Sequence, residues 1–268
     1  MAGDELGFIG GGKMAEAILA ALVGSGTVPA SRIVVSDVSP ERLALLERDF
    51  GVTGVTDNRA VLERAAVIFL AVKPQQLDAV VAELAPAVRP AHLLISIAAG
   101  KRLAYFESRL PGARIVRVMP NLAALVAASM NVFCMGATCA AGDRDRVMGL
   151  LASFGAVLEL DESRFDAVTA VSGSGPAFVA HFMQALIAGG VALGLSEVAA
   201  QTLAQQTLLG TAQLLSRGVF DPESLIRAVS SAKGTTVAGL EVLLLTTMTS
   251  DVLHTLQAAA ARSRELSQ

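Results

Sequence analysis

The sequence predicts an α/β protein, with an N-terminal doubly wound, mostly parallel sheet over 1–161 and a C-terminal all-helical dimerisation domain over 162–268. Three observations predict it. Apolar runs such as AVIFLAV alternate with helical patterns through the first half, and unbroken apolar runs are what strands covered on both faces require. The first run leads straight into glycines and then a helix, in LGFIGGGKMAEAIL at 6–19. From about Asp161 the strand signals stop, and the remainder is helical, apolar and poor in charge.

Taken in order, Gly7, Phe8 and Ile9 end a first strand at 5–9. Gly10, Gly12 and Ala15 then fit G-x-G-x-x-G/A, in which glycines allow a tight turn and bring backbone N–H groups of a helix N-terminus up to a pyrophosphate. Met14, Ile18 and Leu22 recur at helical spacing in the helix at 12–25. The second strand, 33–37, closes on Asp37, where a ribose-binding carboxylate is expected. The first domain is therefore read as a Rossmann-type dinucleotide-binding domain. Further strands are expected at 52–54, 66–72, 92–97, 113–118, 130–135 and 155–160, with helices at 40–49, 59–64, 75–86 and 143–153.

Four loops after strands carry the candidate chemistry, because ligands of open parallel sheets bind outside the carboxyl ends of the strands. Ala71, Val72, Lys73 and Pro74 form the first. SIAAG at 96–100 is the second, and its small residues, Ala98 and Ala99 among them, admit a flat nicotinamide ring to the backbone. Met119, Pro120 and Asn121 end the third. The fourth is SGSGPA at 172–177, with Pro176 near the first turn of a helix whose free N–H groups can face a site. Ser172 and Ser174 there lack the strand-turn-helix context of a hydrolase nucleophile, so they cap a helix or touch substrate.

The second half reads as helices at 162–169, 175–193, 196–217, 222–230 and 235–264. One subunit has no obvious way to bury all their apolar faces, so two subunits are expected to intertwine them, an ordinary monomer core being the alternative. Two stretches, 120–142 and 176–195, contain no Asp, Glu, Lys or Arg. The first holds Asn121, Asn131 and two glycines and reads as helix, strand and turn. The second includes His181 and Gln184 and reads as a buried helix of a hydrophobic oligomer interface rather than a membrane span.

Composition narrows the partners. The 268 residues carry a net charge of -3 with no basic stripe, which argues against nucleic acid. Cys134 and Cys139, the only cysteines, fit neither a disulfide framework nor zinc spacing, and no leader-like segment opens the chain, so a reducing cytoplasm is expected. His92, His181 and His254 have no Cys or carboxylate at ligand spacing, and no metal is expected.

The chain resembles the pyrroline-5-carboxylate reductase family from end to end. The residues that carry the resemblance are FIGGGKMAEAI at 8–18, AVKP at 71–74, SIAAG at 96–100, RVMPN at 117–121, AVSGSGPAF at 170–178, QQTLLG at 205–210, KGTTVAGL at 233–240 and RSREL at 262–266. The resemblance implies metal-free hydride transfer from a reduced nicotinamide to the imine carbon of pyrroline-5-carboxylate, giving proline. It implies cofactor contacts from Ile9, Gly10, Gly11, Gly12, Lys13 and Met14, from Asn58, and from Ala71 to Pro74, with Asn121 nearby. Ser231, Gly234, Thr235 and Thr236 would hold the substrate carboxylate and ring nitrogen, with Ser231 and Thr236 at the reacting centre; Ser172 and Ser174 are further candidate substrate contacts. It also implies homodimers that associate further into decamers.

Cofactor choice is read from both signals. Asp37 suits the ribose hydroxyls of NADH, whereas Ser39, Arg42 and Asn58 offer donors to the 2'-phosphate of NADPH. The resemblance favours NADPH with NADH possible. Four segments depart from the family pattern: Ala232-Lys233 in the substrate loop, Leu122-Ala123, Gln184 and Thr246-Thr247-Met248. Two other functions stay open on that account, reduction of a related cyclic imine and a non-catalytic nucleotide-binding sensor.

Overall fold

A computed structural model describes residues 5–267. Eight strands, β1 (Glu5–Ile9), β2 (Ile33–Ser36), β3 (Thr53–Val55), β4 (Ala65–Leu70), β5 (Leu93–Ser96), β6 (Arg114–Met119), β7 (Ser129–Met135) and β8 (Gly155–Glu159), form one sheet in the order β3-β2-β1-β4-β5-β6-β7-β8. The order reverses at β1, which makes the sheet doubly wound and opens a crevice at the carboxyl ends of β1 and β4. All pairings are parallel except β6 with β7. Their link contains only a short 3-10 turn, Leu122–Val126, which cannot make the helical crossover that a parallel pair needs.

Alternation along each strand splits the core between the two faces of the sheet. Phe8, Val35, Phe69, Ile95 and Val116 point to one side, and Ile9, Val34, Ile68, Leu94 and Ile115 to the other. Phe8 and Phe69 stack with ring centroids 4.9 Å apart. The covering helices are α1 (Lys13–Gly24), α2 (Pro40–Phe50), α3 (Asn58–Arg64), α4 (Pro74–Leu84), α5 (Leu103–Arg109) and α6 (Ala141–Ala152). Ser39 caps α2 with Pro40 at its first turn, and Gly51 ends it at φ 71°.

Beyond β8 come α7 (Phe165–Val168), a π-helical turn at Thr169–Gly173, α8 (Gly175–Ala192), α9 (Glu197–Ser216), α10 (Pro222–Val229), α11 (Thr235–Leu244) and α12 (Met248–Leu266). The single helix expected at 235–264 is two, bent by 56°. Its break is made by hydroxyls that compete with the helical ladder: Thr246 donates to the Leu243 carbonyl at 2.7 Å and Thr247 to Asp251 Oδ2 at 2.7 Å.

The chain forms two compact units, one of residues 1–174 with 258–268 and the other of 175–257. The sequence reading divides the chain after 161. Phe165 and Val168 belong to the core of the sheet unit, and Ser263 donates to Asp166 Oδ1 at 2.8 Å, which is why that unit takes residues from both sides of the helical one.

Candidate active site

The crevice is built from backbone first. Gly10 has φ 95°, and a Cβ there would lie 2.8 Å from the Ala71 carbonyl oxygen, so the turn out of β1 admits only glycine. Gly12 is the N-cap of α1 and offers no side-chain cap, which leaves the N–H groups of the first turn free. One half of the crevice, about 600 Å³, is lined by Gly10, Gly12, Asp37, Asn58, Ala71, Val72 and Lys73, and by Gln76, Ala79, Val80 and Glu83 of α4. The other half, about 550 Å³, is lined by Gly12, Lys13, Met14, Ala71, Val72, Lys73, Pro74, Ala98, Ala99 and Asn121, with Thr169, Gly173 and Ser174. The halves share Gly12 and residues 71–73, so they are continuous.

The polar side chains around the glycine loop are already engaged. Asp37 Oδ2 accepts the Gly11 N–H at 2.8 Å and its Oδ1 the Ser39 N–H at 3.0 Å. Arg42 donates through Nε to the Gly11 carbonyl, and through Nη2 to the Gly12 carbonyl at 3.3 Å and to Glu16 at 2.6 Å. That guanidinium holds the Glu16 carboxyl below the usual carboxylate range. Asn58 accepts from Ser36 Oγ at 2.7 Å and donates to Glu83 at 2.9 Å.

Of the residues expected at the cofactor, Ile9, Gly11, Ser39 and Arg42 do not line the crevice. Ile9 is wholly buried in the core, and Ser39 spends its hydroxyl capping α2 and donating to Glu41 at 2.8 Å. Gly11 directs its N–H to Asp37. The sequence reading omitted the α4 face. Gln76, Ala79, Val80 and Glu83 stand at helical spacing directly after AVKP, and that spacing was the signal for it.

At the far end of the crevice Asn121 Nδ2 donates to Ser172 Oγ at 3.2 Å, and the Asn121 N–H donates to Ser129 Oγ at 3.0 Å. Ser172 and Gly173 belong to the π-helical turn, a widened turn frequent at functional sites. Gly173 there passes so close that a Cβ would come within 3.3 Å of Met119 Cε. The expected substrate residues Ser231, Gly234, Thr235 and Thr236 lie in the helical unit. Gly234 is the N-cap of α11 and its N–H reaches the Ser231 carbonyl at 2.9 Å, while Lys233 before it takes φ 60°. Gly234, and neither threonine, is the N-cap, and at this helix start Thr235 is exposed and Thr236 half-buried.

Residues 5–100 match the family described as NADP oxidoreductase coenzyme F420-dependent, and residues 162–266 match pyrroline-5-carboxylate reductase dimerisation. Pyrroline-5-carboxylate reductase of Pisum sativum is 39% identical over 98% of this chain and 96% of its own length. That of Synechocystis sp. is 41% identical over 98% of each. The chain belongs to the pyrroline-5-carboxylate reductase family. The solved reductase structure from Coxiella burnetii overlays this one with a TM-score of 0.94 at 32% identity, covering 98% of both chains. The Plasmodium falciparum enzyme, solved with NADP bound, overlays at 0.88 and 26% identity over the full length of both. Membership of the reductase family makes this chain an NAD(P)H-dependent oxidoreductase. The crevice fits that cofactor, since Gly12 puts no side chain in front of the first-turn N–H groups of α1.

Proposed function

We propose that this chain carries out the reduction of 1-pyrroline-5-carboxylate to L-proline, the last step of proline biosynthesis, the crevice holding the cofactor and the start of α11 supplying contacts to the substrate. The observation that carries this reading is identity of 35–41% to pyrroline-5-carboxylate reductases across nearly the whole chain. NADPH, with NADH as an alternative, supplies the hydride when bound. Gly12, Lys13 and Met14 would hold its pyrophosphate, Asp37, Asn58 and Lys73 its adenosine half, and Val72, Ala98, Ala99 and Asn121 its nicotinamide half.

The chain's own residues have a modest chemical task, because an iminium carbon accepts hydride without a strong nucleophile. The Thr235 and Thr236 N–H groups, at the positive end of α11, bind the substrate carboxylate. The Thr236 hydroxyl fixes the protonated ring nitrogen, with Ser231 beside it. Ser172 and Ser174 close the nicotinamide end of the site, and Asn121 orients Ser172. The enzyme works as a homodimer joined through the helical unit, and dimers associate further into decamers. Glu162–Ala192 is apolar and long enough to cross a membrane, but it falls within the residues that match the dimerisation family, and we assign it to subunit contact. Both thiols are held protonated by burial, Cys134 pushed up to about 12, which suits a cytoplasmic enzyme without disulfides.

The purified protein is expected to oxidise NADPH or NADH with pyrroline-5-carboxylate and not with simple 2-keto acids. Tight nucleotide binding without turnover would make it a sensor, and turnover confined to another cyclic imine would reassign the substrate.

A further inference from the structure

The Arg42 guanidinium sits behind the glycine loop, outside both halves of the crevice, and makes three contacts there. It donates to the carbonyls of Gly11 and Gly12 and is itself locked by Glu16 at 2.6 Å. Both side chains of that pair are about four-fifths buried, 19% and 23% exposed, so the contact is shielded from solvent. In a trans peptide the carbonyl and the following N–H point in opposite directions, and every described peptide of this chain is trans. The Gly12 carbonyl also accepts the Glu16 N–H at 2.9 Å, the first helical bond of α1, and with both carbonyls held on that side the N–H groups of Gly12 and Lys13 are turned the other way. Gly12 and Lys13 are residues that line the crevice. Asp37 draws the Gly11 N–H aside at 2.8 Å, which removes it from the set of donors facing an anion.

We infer that Arg42, locked by Glu16, is a positioning residue that presets the Gly12 and Lys13 N–H groups for the cofactor's pyrophosphate. The inference rests on the reading of the crevice as the cofactor site. It reassigns Arg42, which by sequence alone is a donor to the 2'-phosphate. A brace on the loop acts on the part common to both nucleotides, so NADPH and NADH depend on it equally. A direct phosphate ligand would act on NADPH alone.

The test uses the full chain with Arg42→Ala, Arg42→Lys and Glu16→Gln. Dissociation constants for NADPH and NADH are measured by titration, and amide hydrogen exchange over residues 10–14 is measured in cofactor-free protein. Arg42→Ala is expected to weaken both nucleotides by a similar factor, about tenfold for two lost carbonyl contacts. It is also expected to accelerate exchange in the loop and to raise KM for the nucleotide more than it lowers kcat. Glu16→Gln should shift binding and exchange the same way by less, and Arg42→Lys should restore part of both. Loss of NADPH affinity at least tenfold greater than that of NADH overturns the inference in favour of a direct phosphate contact. Unchanged affinities and exchange overturn it as well. Where Arg42→Ala does not fold, Arg42→Lys and Glu16→Gln decide by the same readouts. Failure of the wild-type protein to bind either nucleotide defeats the crevice reading, and the inference with it; intact wild-type binding confines any failure to Arg42.

Discussion

The sheet unit and the helical unit use similar apolar content in opposite ways. In the sheet unit, β2, β4 and β5 are buried along almost their whole length, and Phe8, Phe69, Phe106 and Phe133 are fully enclosed. In the helical unit α8 and α11 have no buried residue at all, and α9 has only Ala200 and Ala204. Val179, Phe182, Leu186, Leu203 and Leu209 all stand exposed. A single chain thus completes one core and leaves the other open, so the first unit buries its apolar residues within itself and the second presents an apolar surface of the kind that a partner covers.

The same truncation in each unit breaks or sharpens that contrast. Phe69→Ala is expected to destabilise by about 3–5 kcal/mol through a cavity beside Phe8, equally at all protein concentrations, as read by denaturant unfolding. Phe182→Ala removes a side chain that is 41% exposed in one chain. If two copies bury it, the variant loses about 1.5–3 kcal/mol per subunit, its Tm becomes more dependent on concentration and light scattering detects monomer at low micromolar protein. A concentration-independent loss, or a stable wild-type monomer, would remove the dimer.

Within the helical unit, Thr236→Ala is expected to lower kcat/KM for pyrroline-5-carboxylate about tenfold, the loss of one hydrogen bond to a charged group, with NADPH affinity unchanged. Tm should hardly move, because Gly234 and not Thr236 caps α11. A fall in Tm at constant kcat/KM would shift the substrate contact to Ser172 and Ser174.

The smallest effect belongs to a buried histidine of the sheet unit. His92 Nδ1 accepts the Arg89 N–H at 3.0 Å and Nε2 reaches the Leu62 carbonyl at 3.1 Å, a pairing that assigns the neutral ring with its proton on Nε2. Burial holds its pKa below the ordinary imidazole value. With the folded value depressed, the unfolded chain binds the extra proton below about pH 6.5; stability is complete above that pH and declines as pH falls through it. Melting between pH 7.5 and 5.5 should show the decline, and His92→Gln should flatten it.

The sheet was legible because each of its strands is a short apolar run with a glycine, proline or polar stop, and all eight expected strands are present. The antiparallel β6–β7 pair was not, since alternation fixes which face a residue takes and not the direction of its strand. The break after Leu244 escaped for a related reason: no glycine or proline marks it, only two threonines whose hydroxyls take helical carbonyl and carboxylate partners. At the site, residues that act through backbone, Gly10 and Gly12 above all, were readable from spacing. The partners of Asp37, Asn58 and Arg42 were not, because a side chain's hydrogen-bond partner depends on elements far apart in sequence, as with Asn58 and Glu83.

The return of the chain to the sheet unit after residue 257 has a consequence for how this protein is born. During translation all eight strands leave the ribosome well before Ser263, which bonds Asp166, and Leu266, whose carbonyl oxygen lies where a Cβ on Gly100 would be only 2.7 Å away. At ~5–20 residues per second the intervening helices occupy on the order of ten seconds of synthesis. For that interval the sheet waits with its last contacts unmade while the apolar helices of residues 175–257 are still emerging, the stage at which exposed apolar surface is greatest.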